Sequence, residues 1–347
     1  MSAEMTLRSS TRGVRTLNDW RLWAAGLVTA LALGVIEAQS AWSPPLGKGF
    51  TALKLALYWA LWLLWPLALL NLLRCIGHLA RGRWLHALRA LAVLAICTAL
   101  LWARFWEPNQ LRVRESSLGT TCGVRVALVS DLHIGLFTRR AQLERLVARL
   151  NALDVDAVLV AGDWTYEPGR DLRAEFAPLA GLRHRVYGVL GNHDEERPGP
   201  PLQKPLREAL AAHKVQMVEA QRTSLGRCEL VGVGDLKAGA SERDLAALAK
   251  NPSKVPGAQR VVLTHNPDTG SLLAPNFAAI TLAGHTHGGQ IDLPFATDWL
   301  LAATTAGAFR QGTYELPATR VFVTPGIGVD YLPLRFRVPP VIDVLVL

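Results

Sequence analysis

The chain has 347 residues, enough for one large domain or two modest ones, and it carries a net charge of +9. Residues 1–115 contain 13 Lys and Arg against 5 Asp and Glu, whereas residues 116–347 contain 24 against 23. Nucleic-acid binding relies on clustered basic residues, so the nearly neutral C-terminal part argues against a nucleic-acid partner. The four cysteines form no CxxC pair, which excludes zinc ribbons and thioredoxin-like sites. A Cys122–Cys228 disulfide is possible, but nothing in the sequence supports it.

Three apolar stretches, residues 22–41, 55–73 and 87–105, occupy most of the N-terminal third. Each approaches the ~20 residues that a helix needs to cross a ~30 Å hydrocarbon core. Nine of the 11 Trp also lie before residue 116, and Trp is common at membrane interfaces. We therefore predict that residues 1–115 form a membrane anchor with about three transmembrane helices. A signal peptide is the alternative for the first stretch, and buried core helices are the alternative for all three.

The distribution of basic residues predicts an orientation in the inner, or plasma, membrane. Arginines precede the first stretch, and Arg74, Arg81 and Arg83 follow the second, whereas the first connecting loop has few basic residues. By the positive-inside rule the N-terminus and the second loop are cytoplasmic. Residues after about 106 then lie on the non-cytoplasmic face. Arg112 and Arg114 argue the other way, and one span more or fewer would invert the arrangement.

The remainder, residues 116–347, is predicted to be one α/β domain, entered through a polar connector at residues 106–123. Short apolar runs predict strands at 124–130, 157–161, 186–190, 260–264, 278–283, 321–324 and 341–347, with more strands between 216 and 233. Helical spacing predicts helices at 140–151, 172–182, 203–213 and 241–250. Alternating strands and helices are typical of a sheet whose first half is mainly parallel.

Polar side chains follow five of these strands directly. They are Asp131 and His133, then Asp163, then Asn192, His193 and Asp194, then His265, and last His285 and His287. Ligands in α/β sheets bind beyond the carboxyl ends of strands, so we expect these side chains to converge. Imidazole with carboxylate suits Zn, Fe or Mn, and a two-metal site needs a bridging carboxylate, for which Asp163 beside Gly162 is the natural candidate. His184 and His213 lie outside this pattern and are interpreted as ordinary hydrogen-bonded residues.

The motifs Gly-Asn-His-Asp, Gly-His-Thr-His-Gly-Gly-Gln and Thr-Pro-Gly-Ile-Gly, beginning at residues 191, 284 and 324, resemble those of the calcineurin-like metallophosphoesterase superfamily, in particular its bacterial membrane-associated branch. The resemblance covers residues 124–347 and implies a four-layer αββα sandwich with two divalent metal ions. It implies that one ion is held by Asp131, His133 and His287 and the other by Asn192, His265 and His285. Asp163 would bridge both ions, together with a hydroxide or water that attacks phosphorus.

The resemblance also implies catalytic roles for three consecutive residues. His193 would protonate the leaving oxygen or stabilise the transition state, Asp194 would orient His193, and Asn192 would act as a metal ligand at the reaction centre. The expected activity is hydrolysis of a phosphodiester or pyrophosphate bond in a membrane lipid, a nucleotide-linked lipid or an envelope component. Family members that resemble UDP-2,3-diacylglucosamine hydrolases act on a cytoplasmic substrate, which the predicted orientation argues against.

Two other functions stay open at this point. One is a non-catalytic membrane sensor or scaffold that binds metal or phosphate, although the presence of His193 weighs against it. The other is transport, which the few charges within the apolar stretches make the least favoured. Residues 198–205 and 293–314, including Trp299 and Phe309, are expected to border the site and to meet a lipid, with ordinary packing as the alternative.

Overall fold

The computed structural model describes residues 48–169, 171–195, 202–302, 305–307 and 309–347. The chain divides into two compact units, Met1–Leu101 and Trp102–Leu347. The first unit contains helices α1 (Lys48–Ala60), α2 (Leu64–Leu79) and α3 (Trp84–Leu101), with a 3-10 turn at Leu61–Leu63 between α1 and α2.

In the first unit, α2 and α3 pack on each other through small side chains, namely Cys75, Ala87 and Ala90. Many of their large apolar side chains face outwards, including Leu69 and Leu88, which are 58% and 62% exposed. In the described part of the chain, two helical segments, Thr51–Leu79 and Trp84–Asn109, are long and apolar enough to cross a membrane. They contain the second and third predicted spans, and the first predicted span lies outside the described residues.

The second unit contains two six-stranded sheets and a short two-stranded ladder. Its strands are β1 (Arg112–Ser117), β2 (Arg125–Val129), β3 (Ile134–Gly135), β4 (Ala157–Ala161), β5 (Thr165–Tyr166), β6 (Arg185–Val189), β7 (Val215–Met217), β8 (Arg222–Leu225), β9 (Cys228–Gly232), β10 (Arg260–Leu263), β11 (Ile280–Ala283), β12 (Gly312–Glu315), β13 (Arg320–Val323) and β14 (Val341–Val346). Its helices are α4 (Arg140–Asn151), α5 (Leu172–Glu175), α6 (Asn192–Glu195), α7 (Gln203–Ala212), α8 (Ala240–Lys250) and α9 (Ala296–Ala302).

The first sheet has the order β1-β14-β2-β4-β6-β7 and the second has the order β12-β13-β11-β10-β9-β8. All neighbours run parallel except β14 with β2, β12 with β13, and β8 with β9. The strands β2, β4, β6 and β7 therefore form the mainly parallel arrangement that the alternation of strands and helices predicts.

The burial pattern explains why the second unit has four layers. Alternate side chains of each strand point to opposite faces, so Val126 and Leu128 of β2 enter the core between the two sheets, with Leu263 of the second sheet. Val129, on the other face of β2, packs with helices α4 and α7. Leu248 of α8 packs on the outer face of the second sheet. Helix, sheet, sheet and helix are thus stacked, and the predicted four-layer αββα sandwich is confirmed.

Two local predictions differ from the structure. Residues 112–117 of the predicted connector form the edge strand β1, which pairs with β14; its polar sequence and partly exposed side chains give no apolar run to recognise. The predicted helix at 172–182 is interrupted, because α5 ends at Glu175 and a 3-10 turn with Pro178 near its start continues to Gly181.

A disulfide joins Cys122, just before β2, to Cys228 at the start of β9. Both cysteines are buried in the core between the two sheets. The two positions are 106 residues apart, and only the tertiary fold brings them together, so the sequence contains no signal for this pairing.

Candidate metal centre

The predicted metal-binding side chains all lie just beyond the carboxyl ends of strands. They are Asp131 and His133 after β2, Asp163 after β4, Asn192 after β6, His265 after β10, and His285 and His287 after β11. Strands β2, β4 and β6 are neighbours in the first sheet, and β10 and β11 are neighbours in the second. The topology therefore brings side chains that are distant in sequence to one edge of the sandwich.

Asp131, His133 and His287 form a first group of ligand atoms. The Nε2 atoms of His133 and His287 are 3.0 Å apart. Asp131 Oδ1 lies 3.4 Å from His287 Nε2 and 4.0 Å from His133 Nε2. Atoms that bind a common ion at about 2.0–2.2 Å in a tetrahedron stand roughly 3.3–3.6 Å apart. This group therefore has close to the spacing that one shared ion requires.

Asn192, His265 and His285 form a second group. His265 Nε2 lies 3.2 Å from Asn192 Oδ1 and 3.2 Å from His285 Nδ1. The other ring nitrogen of His265 donates to the carbonyl oxygen of Ala161 at 2.7 Å. An imidazole fixed by a backbone carbonyl in this way is typical of metal-binding histidines, because the bond orients the ring and selects the tautomer.

Asp163 lies between the two groups. Its Oδ2 is 3.6 Å from His133 Nε2 in the first group and 3.2 Å from His265 Nε2 in the second. Its Oδ1 accepts a hydrogen bond from the backbone N–H of His193 at 2.9 Å, which fixes the carboxylate plane. One carboxylate that faces both groups is the arrangement expected of a bridging ligand.

The chemistry of the donor set fits bound cations. Two pairs of imidazole nitrogens face each other, 3.0 Å apart in one group and 3.2 Å apart in the other. Such lone pairs repel unless a proton or a cation lies between them. Within the described part of the chain, His285 Nε2 is also buried without a hydrogen-bond partner. Because burying so many polar groups is costly, divalent ions that accept nitrogen and carboxylate donors would stabilise the cluster.

Burial also sets the protonation states of the cluster. Desolvation lowers the pKa of His133 to about 3 and lowers the pKa values of His285 and His287 well below their usual range. Burial alone would raise the pKa of Asp163, but the positive charge around His265 and His193 lowers it instead. Burial alone would lower the pKa of His265, but the neighbouring Asp163 carboxylate raises it to about 10. A metal ion would take the place of that proton, because metal ions bind neutral imidazole and ionised carboxylate.

The backbone is strained at this edge of the sandwich. Left-handed conformations occur at Asp131, His133, Asp163, His285 and His287, with φ between 48° and 73°. Each costs an L residue roughly 1–3 kcal/mol, and such residues cluster at functional sites. Backbone hydrogen bonds hold two of these strained residues in place. The N–H of Asp131 donates to the carbonyl oxygen of Gly162 at 3.0 Å, and the N–H of His133 donates to the carbonyl oxygen of Asp163 at 3.1 Å.

Three glycines allow the loops to pack directly on the carboxylates. A Cβ atom on Gly191 would lie 2.1 Å from Asp163 Oδ1, and one on Gly284 would lie 2.6 Å from Asp131 Oδ2. A Cβ atom on Gly326 would lie 2.7 Å from the Cβ of Asp131. Any side chain at these positions would displace a predicted ligand, which explains glycine at these points of the motifs.

His193 lies beside the metal-binding groups. Its ring is 5.0 Å from the rings of His133 and Tyr166, both in edge-to-face contact. Its Nε2 is 3.9 Å from Asp330 Oδ2, in the loop after β13. His193 is therefore placed to reach a group bound at the centre while its orientation is restricted by aromatic neighbours.

Asp194, predicted to orient His193, accepts hydrogen bonds from the two loops that surround it. Its Oδ2 accepts from the backbone N–H groups of Gly191 at 3.0 Å and Trp164 at 3.1 Å. Its Oδ1 accepts from the N–H and the hydroxyl of Thr165 at 2.9 and 2.7 Å. Asp194 thus ties the loop after β4 to the loop after β6, and the carboxylates of Asp163 and Asp330 both lie near the ring of His193.

Sequence reasoning missed four residues near the centre. Tyr166 is buried, and its hydroxyl accepts from the backbone N–H of Tyr331 at 3.0 Å. Asp330 and Tyr331 follow the Thr-Pro-Gly-Ile-Gly motif by two and three residues, a proximity in sequence that could have indicated them. Arg335, the fourth, has no such signal.

Arg335 is fully buried and supports the loop that carries this motif. Its guanidinium donates to the carbonyl oxygens of Gly328, Val338 and Pro325 at 2.9, 3.1 and 3.0 Å. In the same loop, the N–H of Gly328 donates to the carbonyl oxygen of Asp131 at 2.7 Å. Burial lowers the pKa of Arg335 to about 10, which leaves it charged at neutral pH.

The segment at 293–314, expected to border the site, contains both exposed and buried aromatic side chains. Phe295 and Trp299 are 96% and 76% exposed, and Leu293 is also exposed. Phe309, in contrast, is buried against Val321 and Val323 and is a core residue, so its predicted contact with lipid is wrong. Of the predicted loop at 198–205, residues 198–201 lie outside the described residues, and residues 203–205 form the start of helix α7.

The two histidines outside the pattern occupy no place in the metal-binding groups. His213 Nε2 bonds to the carbonyl oxygen of Arg173 at 2.8 Å, as expected of an ordinary structural histidine.

Comparison with known proteins agrees with this geometry. Residues 124–289 match the family model described as calcineurin-like phosphoesterase. The uncharacterized metallophosphoesterase YkuE of Bacillus subtilis is 26% identical, over 71% of this chain and 88% of its own length. Phosphodiesterase YaeI of Escherichia coli is 26% identical over 77% and 98%. UDP-2,3-diacylglucosamine pyrophosphatase LpxG of Chlamydia trachomatis is 25% identical over 69% and 90%. Several further relatives are matched over only 50% to 58% of their length.

Proposed function

Because the chain belongs to the calcineurin-like metallophosphoesterase superfamily, we propose that it hydrolyses a phosphodiester or pyrophosphate bond in a lipid-linked or envelope compound at a membrane. It is a metal-dependent phosphoric ester hydrolase, and two of its relatives are named phosphodiesterase and pyrophosphatase. The observation that carries the proposal is the position of Asp163, whose carboxylate faces both groups of nitrogen ligands at 3.2 and 3.6 Å.

In this proposal Asp131, His133 and His287 hold one divalent ion, and Asn192, His265 and His285 hold the other, with Asp163 bridging. Mn, Fe or Zn suits these donors. Such ions, when bound, withdraw charge from phosphoryl oxygens and lower the pKa of a water. The protein contributes a rigid cradle, because strained loops and close glycines leave these side chains little freedom to move.

His193 is the proposed proton donor to the leaving oxygen. The edge-to-face contact with Tyr166 fixes its ring, and Asp330 lies 3.9 Å from its Nε2. An acid catalyst must carry its proton before the bond to phosphorus breaks, and in this proposal the His193 ring carries it. Asp194 contributes indirectly, since it holds together the loops that present Asp163 and His193.

An apolar surface supports a substrate with a lipid portion. Leu293, Phe295 and Trp299 are exposed, as are Tyr331 and Leu332 beside Asp330. The side-chain amide of Gln290 donates to the carbonyl oxygens of Asp330 and Leu332 at 3.2 and 3.0 Å, which joins the two segments. Exposed apolar groups of this size commonly mark an interaction site. The relative named as a diacylglucosamine pyrophosphatase acts on a substrate of this class.

We place the catalytic unit on the non-cytoplasmic face of the inner membrane. Two helical segments long enough to span a membrane precede it, and the basic residues predict a cytoplasmic second loop. The Cys122–Cys228 disulfide also favours this face, because disulfides persist in oxidising compartments. A substrate confined to the cytoplasm, such as a UDP-linked precursor, is therefore disfavoured.

The enzymatic proposal is tested with the full chain in detergent, loaded with Mn. We expect hydrolysis of bis(p-nitrophenyl) phosphate to exceed that of p-nitrophenyl phosphate. His193→Ala should lower the rate on an alkyl diester by about 10²–10⁴, but much less on the nitrophenyl diester, whose leaving group needs no proton. His213→Ala, which removes a histidine distant from the groups, should change neither rate. No turnover with two ions bound per chain would favour the sensor or scaffold function instead.

The orientation is tested separately. A cysteine introduced at exposed Lys250 (K250C) should react with a membrane-impermeant maleimide in intact spheroplasts. Labelling that appears only after lysis would place the catalytic unit in the cytoplasm and would return the UDP-linked lipids to consideration.

A further inference from the structure

A cavity of about 120 Å³ lies in the second unit outside the metal-binding groups. It is bounded by the turn that follows α3, by helix α4, and by the loop around Gly328. None of the predicted metal ligands lines it. It is well above the roughly 10–15 Å³ that one water needs, so a small polar group such as a phosphate fits.

The charged side chains of the cavity wall are both arginines. Arg104 and Arg145 line it, and the described lining residues include no Asp or Glu. Arg145 Nη2 donates to Asn109 Oδ1 at 2.9 Å, which holds its guanidinium at the wall. Thr138 and Gln142 add further hydrogen-bonding groups. Two guanidiniums around one small cavity favour an anion, and their planar donor geometry suits phosphate.

The surroundings of the cavity point to a lipid as the source of that phosphate. The candidate spanning segment Trp84–Asn109 ends here, and Trp102 and Trp106 are 49% and 55% exposed. Tryptophans at the end of a span are typical of the membrane interface, where lipid headgroups lie and where Arg side chains meet them. The rest of the wall is apolar, with Leu111, Phe137 and Val329 among its residues.

We infer that this cavity binds the phosphate of an anionic membrane lipid between Arg104 and Arg145, with the glycerol and upper acyl carbons against the apolar wall. The cavity shares two structural links with the metal centre. Gly328, in its wall, donates to the carbonyl oxygen of Asp131, and the Phe137 ring stacks on Tyr166 at a centroid distance of 6.1 Å. A bound headgroup would therefore stabilise the loops behind the catalytic groups.

The test uses the full chain in a neutral detergent and native mass spectrometry, which counts bound lipids without any turnover. The probes are phosphatidylglycerol, phosphatidylcholine and inorganic phosphate. We expect one phosphatidylglycerol to bind about tenfold more tightly than phosphatidylcholine. R145Q and R104Q should each weaken that binding about tenfold, as expected for loss of a charged hydrogen-bond donor. R149Q is the matched control, since it removes an exposed charge from the same helix outside the cavity.

Three results would overturn the inference. Equal binding of the two lipids would mean that the cavity does not select an anion. An equal effect of R149Q and R145Q would mean that lipids respond to overall charge rather than to this site. Inorganic phosphate that displaces phosphatidylglycerol at comparable concentration would identify free phosphate as the occupant. Arg145 is exposed on helix α4, so R145Q decides the question even if R104Q does not fold.

Discussion

Replacing the buried Arg335 with methionine should destabilise the catalytic unit strongly. The substitution leaves the carbonyl oxygens of Gly328, Val338 and Pro325 without the guanidinium that binds them. Each buried acceptor left unsatisfied costs about 1–3 kcal/mol. Methionine carries no charge, so the substitution also removes the cost of burying the guanidinium. That cost lowers the pKa of Arg335 to about 10, and its removal would stabilise the folded state by roughly 3 kcal/mol. The three acceptors together cost about 3–9 kcal/mol, so the expected net loss in the free energy of unfolding is about 0–6 kcal/mol, centred near 3 kcal/mol.

A loss of about 3 kcal/mol should lower the unfolding temperature by roughly 6–12 °C, because 1 kcal/mol corresponds to about 2–4 °C for a unit of this size. We would measure it by pulse proteolysis of the detergent-solubilised full chain at increasing temperature. The unfolding temperature of Arg335→Lys should lie between those of the wild type and R335M, because one ammonium group cannot reproduce the planar array of guanidinium donors. Arg337→Met is the control, because the side chain of Arg337 is 59% exposed and its Nε lies 3.9 Å from the Asp292 carboxylate. If R335M and R337M unfold within about 0.5 kcal/mol of each other, the role assigned to Arg335 is wrong.

Three further predictions concern other positions. Burial raises the pKa of Glu195 to about 7, so the folded state binds this proton more tightly than the unfolded state, and stability falls as the pH rises from about 5 to about 8. Glu195→Gln should therefore increase the free energy of unfolding in urea by up to about 3 kcal/mol at pH 8 and leave it unchanged at pH 5. Equal gains at both pH values would contradict this. Replacing both Cys122 and Cys228 with alanine should lower the free energy of unfolding by about 2–5 kcal/mol and make unfolding insensitive to dithiothreitol. If unfolding stays sensitive to dithiothreitol, this disulfide is not the source of the sensitivity. Gly284→Ala would place a Cβ 2.0 Å from Ser130 Oγ and 2.6 Å from Asp131 Oδ2, so it should displace both side chains and lower both bound metal and turnover at least about tenfold. Gly181→Ala, whose new Cβ would lie 3.7 Å from its nearest neighbour, should match the wild type. Unchanged metal content in G284A would refute the steric argument.

The sequence predicts the central strands well because their burial makes them continuous apolar runs. Strand β4 and helix α4 have the predicted limits, residues 157–161 and 140–151. The polar residues after such strands are equally visible, and the structure brings all seven predicted ligands together. Strand β1 was missed because an edge strand buries few side chains and therefore carries polar residues.

The remaining differences depend on contacts between distant segments. Asp330 meets His193 only after the final loop has folded over β2, and Arg335 is recognisable only from the carbonyl oxygens around it. Phe309 was predicted to be exposed because the surrounding segment resembles a surface loop. Side chains of β11 and β13 bury it instead, and no local pattern indicates those contacts. Local sequence thus identifies which residues can bind metal, whereas long-range packing decides which residues support them.

The position of β14 has a consequence for the order of assembly. Residues 341–346 insert between β1 and β2, so the first sheet stays divided until the last strand of the unit leaves the ribosome. Contacts between residues so far apart in sequence form slowly, because closing the long intervening loop has an entropic cost before the contacts stabilise it. The loop that covers Asp131 directly precedes β14, so it too is secured only at that stage. The metal-binding edge would therefore be completed only after β14 has paired with both β1 and β2, and the chain would stay inactive until that pairing has formed.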